Sequence, residues 1–243
     1  MNNTIIVIPA RWDSSRFPGK SIVKIIGIPM IVRVWNQVKK CQNIDKILVA
    51  TDDKRISDVC KKYNIDFVMT GSNYSTGTDR VASLVEKYDY YTYVNVQGDE
   101  PLVRPEDIDK LISFHLESVK KGIEVTNAYV PESRLPKNYS EIKSFVTKTD
   151  DNCIDKISRS PIHSNLNDNN SEFLSHIGMY AFTKNALIRF SRWKKGQLEI
   201  AEGIEMLRYI EHHEKIRCIA LDSGSIAVDY PKDVEKIEKI LTG

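Results

Sequence analysis

Ile5-Ile-Val-Ile-Pro-Ala-Arg-Trp-Asp-Ser-Ser-Arg-Phe-Pro-Gly-Lys20 is the stretch on which the reading of this chain turns. Ile5–Pro9 is short, apolar and rich in β-branched residues, the pattern of a buried strand. A polar loop follows at once. It carries Arg11, Arg16 and Lys20 with Ser14, Ser15 and Gly19, and it is neither a Walker A loop nor a GxGxxG fingerprint. Such a loop can wrap a polyphosphate: hydroxyls and amides donate, and three cations offset the phosphate charge. A solvated surface turn would carry the same residues. The position directly after a first strand favours phosphate binding.

Outward from this strand the pattern alternates. Pro29–Cys41 has helical apolar spacing, Lys46–Thr51 reads as a strand, Ile56–Tyr63 as a helix and Phe67–Thr70 as a strand. Arg80–Tyr88 places Val81, Leu84, Val85 and Tyr88 on one helical face. Tyr93–Gln97 is a fourth strand, and Ile108–Val119 a helix with Pro105 in its first turn. Strands alternating with helices imply right-handed βαβ units: an α/β, Rossmann-like fold with a mainly parallel central sheet and helices on both faces. Ligands of such sheets bind beyond the carboxyl ends of the strands, so the loops after Pro9, Thr70 and Gln97 are the candidate site. The second half differs. Residues 124–130, 144–149, 153–157 and 174–182 read as strands. Residues 163–172 read as a polar, Asn-rich loop. Helices are expected over 184–193 and 199–211, a strand over 216–221 and a last helix from Pro231. The expectation is one domain over 1–243 with an antiparallel excursion at about 130–182.

The chain has 243 residues and a net charge of +2, which gives no case for bulk nucleic-acid binding. Its four cysteines form no CxxC pair, and the expectation is reduced, mostly buried thiols. The Met1-Asn-Asn-Thr start lacks a basic n-region, and no apolar run approaches the ~20 residues of a membrane span. A cytoplasmic protein without membrane contact is expected.

Two carboxylates stand out. Gly98 and Pro101 break the fourth strand and place Asp99 at the sheet edge, where it could hold a hard cation or simply serve an Asx-turn. Asp229 precedes the final helix, where capping is the plainer role, and Asp233 suits the helix dipole.

Taken together, Ile8-Pro-Ala-Arg…Arg16-Phe-Pro-Gly-Lys20, Ala50-Thr-Asp52, Gly77-Thr-Asp-Arg80, Asn95-Val-Gln-Gly-Asp-Glu-Pro101, Ser158-Arg-Ser-Pro-Ile162, His176-Ile-Gly-Met-Tyr180, Leu198-Glu and Val228-Asp-Tyr-Pro-Lys-Asp233 resemble the 3-deoxy-D-manno-octulosonate (KDO) cytidylyltransferases, or CMP-KDO synthetases. Their order and spacing hold across nearly the whole chain. The resemblance implies a nucleotidyltransferase fold, a homodimer made through the excursion, and CTP and a 3-deoxy-ulosonic acid as substrates. It implies Mg²⁺ on Asp99 and Asp229, and triphosphate contacts from Arg11, Ser14, Arg16 and Lys20, with Lys20 also catalytic. It implies a base-reading loop over Thr70–Arg80 with Gly77 and Arg80 near cytosine, and sugar contacts from Gln97, Arg159, His176, Tyr180 and Glu205. His176 and Tyr180 lie at i and i+4 of an expected strand and so share a face. The chain departs from the family at Met206, where Gln is common, at Lys156-Ile157, and after Ile162. These differences leave 8-amino-KDO or another ulosonic acid open as acceptor. A silent nucleotide-binding subunit is disfavoured because Lys20, Asp99 and Asp229 are all present.

Overall fold

The computed structural model describes residues 3–42, 44–132, 144–162, 172–222 and 224–243. The Asn-rich stretch after His163 and part of the 130–182 excursion lie outside the described residues. The fold divides into two compact units, 1–110 with 225–243, and 111–224.

The first unit is built on β1 (Thr4–Ala10), whose seven residues are all buried. That burial is the reason for the unbroken apolar run, since a central parallel strand is covered on both faces. β1 is followed by a short 3₁₀ turn (Lys20–Ile22), a two-stranded hairpin of β2 (Lys24–Ile25) and β3 (Ile28–Pro29), and helix α1 (Met30–Val38). Then come β4 (Lys46–Thr51), α2 (Lys54–Lys62), β5 (Phe67–Met69), α3 (Gly77–Ala82) and β6 (Thr92–Val96). β1 pairs in parallel with β4 and β6, and β4 with β5, giving the order β6-β1-β4-β5. The hairpin was not expected from the sequence. Its strands have two residues each, and its turn needs Ile26 at φ 45°, an unusual setting for a β-branched residue. The amide of Ile26 donates to the Glu238 carboxylate at 2.8 Å, which ties the turn to the C-terminal helix α8 (Pro231–Thr242).

α3 begins and ends earlier than its apolar spacing suggests. The Thr76 hydroxyl accepts the Asp79 amide and donates to the Asp79 carboxylate, a reciprocal cap that fixes the first turn at Gly77. Beyond Ala82 the chain continues in i→i+3 bonds, such as Leu84 to Val81 at 3.1 Å.

Helix α4 (Pro105–Lys120) leads into the second unit, which contains β7 (Val125–Glu132), β8 (Phe145–Lys148), β9 (Ile154–Ser158) and β10 (Phe173–Thr183). It continues with α5 (Lys184–Arg192), α6 (Gln197–Glu202), α7 (Leu207–Glu211) and β11 (Ile216–Ala220). Here the pairing is largely antiparallel, β7 with β10, β10 with β8 and β8 with β9, while β11 lies parallel to β7. The single helix expected over 199–211 is instead two, because Gly203 stops α6 in the left-handed conformation at φ 63°. Between α6 and α7 runs a buried ion pair. The Arg208 guanidinium donates to both carboxylate oxygens of Glu199 at 2.7 Å and lies over the Phe190 ring.

Candidate active site

Three residues from distant parts of the first unit converge on one point. Gly98 makes this possible, because a Cβ there would lie 2.7 Å from the Pro9 carbonyl oxygen. Only glycine lets the end of β6 close against the end of β1 and leave Asp99 at the sheet edge. The amide of Val228 donates to the Asp99 carbonyl at 2.9 Å, which brings the neighbouring Asp229 alongside. The Lys20 ammonium then donates to the Asp99 carboxylate at 2.6 Å, to the Asp229 carboxylate at 3.2 Å and to the Val228 carbonyl at 2.8 Å. All three side chains are mostly shielded, Lys20 being 13% exposed and the two aspartates 19% and 18%. Arg16, more than half exposed, reaches Asp229 at 3.4 Å.

The capping role open to Asp229 belongs to another residue. Asp233 accepts the amides of Asp229 and Tyr230 at 3.0 and 2.8 Å and so closes the start of α8. The Asp229 side chain is thereby released toward Lys20.

The loop between β1 and Lys20 is tied to itself. The amides of Ser14 and Gly19 both donate to the Trp12 carbonyl at 2.9 Å, so neither is directed outward as a phosphate donor. Ser14 is buried, whereas Arg11 and Arg16 are exposed. Gly19, at φ 73°, accommodates the Trp12 ring rather than a ligand: a Cβ there would lie 2.8 Å from the indole.

A second cluster surrounds Arg80, which is 3% exposed. Its guanidinium donates to the Asp52 carboxylate at 2.7 Å, to the Thr70 hydroxyl and to the Gly71 carbonyl at 3.2 Å. Tyr74 lies beside it, 5.7 Å from ring centroid to guanidinium carbon. Gly77 opens α3 and abuts the Gln97 amide, which would stand 3.1 Å from a Cβ at that position.

The remaining candidates lie in the second unit. The Arg159 guanidinium donates to the Glu202 carbonyl at 2.5 Å and the Gly203 carbonyl at 3.3 Å, closing the end of α6. His176 and Tyr180 are buried on β10 with stacked rings 5.8 Å apart, and His176 Nδ1 meets the Ser144 hydroxyl at 2.8 Å. They share a face, but not by plain alternation. The register with β7 jumps between Ile177 and Tyr180, and the Asn127 amide donates to the Ile177 and Met179 carbonyls inside the bulge. A bulge that adds an even number of residues preserves the side on which Tyr180 emerges. Glu205 is half-buried between α6 and α7. Met206, set apart in the sequence as a departure near the sugar, is fully buried and packs in the core. Trp35 on α1 is half-buried.

Burial shifts several cysteines and one histidine outside the site. It pushes the thiols of Cys41 and Cys218 up to about 12 and that of Cys60 to about 11, and all four cysteines are free. These thiols stay protonated and poorly nucleophilic. His115 is fully buried and is held down to about 4 by desolvation. Among the described residues no group of three or more His, Cys, Asp or Glu side chains could hold a metal. No helix among them is long and apolar enough to cross a membrane.

The sequence alone gives no role to Asp52 or to Trp12. Asp52 had a signal, since its Ala-Thr-Asp segment and that of Arg80 are both among those that carry the family resemblance. The partner of Trp12 is Arg55, whose guanidinium carbon lies 3.3 Å from the indole centroid, and nothing in the local pattern links the two.

The sequence model described as Cytidylyltransferase matches residues 5–216 of this chain. The chain belongs to the cytidylyltransferase family. Among relatives of this cytidylyltransferase, the 3-deoxy-manno-octulosonate cytidylyltransferase of Chloroherpeton thalassium is 36% identical over 98% of this chain and 97% of its own length. That of Myxococcus xanthus is 37% identical over 98% and 96%, and that of Escherichia coli 31% over 99% and 97%. A solved structure of CMP:2-keto-3-deoxy-manno-octonic acid synthetase complexed with CTP matches with a TM-score of 0.90 at 30% identity, covering 98% of each chain. The cytidylyltransferase thus has the mixed, mostly parallel α/β fold of that synthetase. A cytidylyltransferase from Leptospira borgpetersenii, 14% identical with a TM-score of 0.67, shares the fold alone.

Proposed function

We propose that this cytidylyltransferase transfers CMP from CTP to the anomeric hydroxyl of KDO and releases pyrophosphate. The observation that carries the reading is the meeting of Lys20, Asp99 and Asp229 at the carboxyl ends of the β1 and β6 strands, in a chain whose full-length relatives are KDO cytidylyltransferases. Two hard carboxylates gathered around one cationic nitrogen suit a divalent ion such as Mg²⁺, which prefers one or two carboxylates and completes its shell with phosphate oxygens. Bound there, Mg²⁺ would screen the triphosphate and acidify the attacking hydroxyl.

The chain's own residues divide the remaining work. Asp99 and Asp229 would hold the cation. Lys20 would offset the charge that builds on the departing pyrophosphate. Arg11, Ser14 and Arg16 border the triphosphate, the two arginines from exposed positions and Arg16 from beside Asp229. Arg80 reads cytosine together with Thr70 and Gly77, its guanidinium fixed by Asp52. On the acceptor side, Gln97, Arg159, His176, Tyr180 and Glu205 meet the sugar, Arg159 pairing with its carboxylate. We further propose a cytosolic homodimer joined through the 130–182 excursion, serving bacterial surface-polysaccharide synthesis.

The test is pyrophosphate release with CTP and Mg²⁺, comparing KDO, 8-amino-KDO and a sialic acid. Fast release with KDO supports the reading. Faster release with either other sugar moves the acceptor, and release with none of them contradicts it.

A further inference from the structure

We propose that Trp12 is a positioning residue for Lys20, fixing the phosphate-side loop through a clamp to the start of α2. The inference rests on the reading that Lys20 meets the triphosphate. Trp12 grips Gly19 twice. Its carbonyl accepts the Gly19 amide at 2.9 Å, and its ring lies where a Gly19 Cβ would fall, 2.8 Å from Cη2 and 3.0 Å from Cζ2. Gly19 is the residue immediately before Lys20, so the placement of the indole sets where the lysine side chain starts.

The ring is itself anchored. The Arg55 guanidinium carbon lies 3.3 Å from the indole centroid, a stacked cation–π contact. Arg55 is held flat by Asp53, to which its Nε and Nη2 donate at 2.9 and 2.6 Å. Asp53 in turn is the N-cap of α2, accepting the Arg55 amide at 2.8 Å, and its own amide donates to the Thr51 hydroxyl at 3.3 Å. A continuous path of contacts therefore runs from the end of β4 through Asp53, Arg55, Trp12 and Gly19 to Lys20. The path explains why a large aromatic ring sits in a basic loop, and why a residue without a side chain is needed at Gly19. Positioning of this kind affects the groups that meet the ligand, because misplacement by about 1 Å can cost on the order of 100-fold.

The experiment is a double-mutant cycle read by CTP affinity, using calorimetry on the full chain. Trp12→Ala should weaken CTP binding at least about tenfold, Trp12→Phe should restore most of it, and Arg55→Met should give a smaller loss in the same direction. In a Lys20→Ala background, Trp12→Ala should cost little more, since the residue it positions is gone. Equal losses from Trp12→Ala in both backgrounds would overturn the inference while leaving the role of Lys20 intact. Unchanged CTP affinity in Lys20→Ala alone would overturn both. Should Trp12→Ala fail to fold, Arg55→Met carries the same cycle from the exposed end of the clamp.

Discussion

Replacing Lys20 by Met should move divalent-ion binding and turnover in opposite directions. The lysine nitrogen touches both carboxylates, at 2.6 and 3.2 Å, so Asp99 and Asp229 lie within about 6 Å of each other. At an effective dielectric of about 20, two like charges at that spacing repel by about 3 kcal/mol. Lys20 now relieves that repulsion, and a metal ion entering without nucleotide must displace it. In Lys20→Met the repulsion is left for the metal to relieve. The variant without nucleotide should bind Mn²⁺, as a spectroscopic stand-in for Mg²⁺, about 10- to 100-fold more tightly than the parent, at about 1.4 kcal/mol per tenfold. Arg16 is too exposed to substitute, because its contact with Asp229 is screened by water. Turnover should fall at least about 100-fold in the same variant, since the leaving pyrophosphate loses its cation. Electron paramagnetic resonance of free Mn²⁺ measures the first effect and pyrophosphate release the second. Unchanged or weaker Mn²⁺ binding in Lys20→Met would refute the view that lysine and metal share the two carboxylates.

Other outcomes follow from the same geometry. Asp99→Asn and Asp229→Asn should each lower turnover at least about 100-fold with the thermal midpoint nearly unchanged, because each removes charge from the metal site and not packing from the core; steady-state rates and a melting curve check this. Asp52→Asn should weaken CTP binding by at least about tenfold and narrow the kcat/KM ratio of CTP over UTP, since Arg80 is 3% exposed and would keep its buried charge with a neutral partner. His115 should make stability depend on pH. Its folded value near 4 lies below the ordinary 6.5, desolvation outweighing the opposing pull of Glu124, and its Nδ1 faces the Thr126 hydroxyl. Stability from this group is therefore full above pH 6.5 and is lost as pH falls toward 4, where the loss amounts to about 3 kcal/mol. Denaturant unfolding at stepped pH should show this slope in the parent and lose it in His115→Gln.

What could be read from the sequence was set by short-range patterns. β1 was legible because a strand buried on both faces needs an unbroken apolar run, and β4 because its β-branched stretch ends where it does in the structure. α3 was misplaced since Leu84 and Val85 keep helical spacing after the helix has ended, while the Thr76 hydroxyl decides its start. The break at Gly203 was visible as a glycine, but its role as a stop depends on Arg159 closing the freed carbonyls from another strand's end. The bulge in β10 depends on the Asn127 amide, which no pattern within β10 reveals. The site follows the same division. Asp99 and Lys20 were each legible as a residue in a suitable loop. The freeing of Asp229 from capping required Asp233 and the Val228–Asp99 backbone contact, both of which exist only once the chain has folded. No role for Trp12 could be read from the sequence, because its partner Arg55 lies far along the chain at the start of α2.

The central claim is cytidylyl transfer to a KDO hydroxyl at the Lys20, Asp99 and Asp229 site. Its most direct test is ³¹P and ¹³C NMR of a reaction holding the protein, CTP, Mg²⁺ and KDO labelled at its anomeric carbon. The account predicts one phosphodiester coupled to the labelled carbon, with an equal amount of pyrophosphate. Consumption of CTP to CDP and phosphate, or an unlabelled phosphodiester, or no reaction, would contradict it.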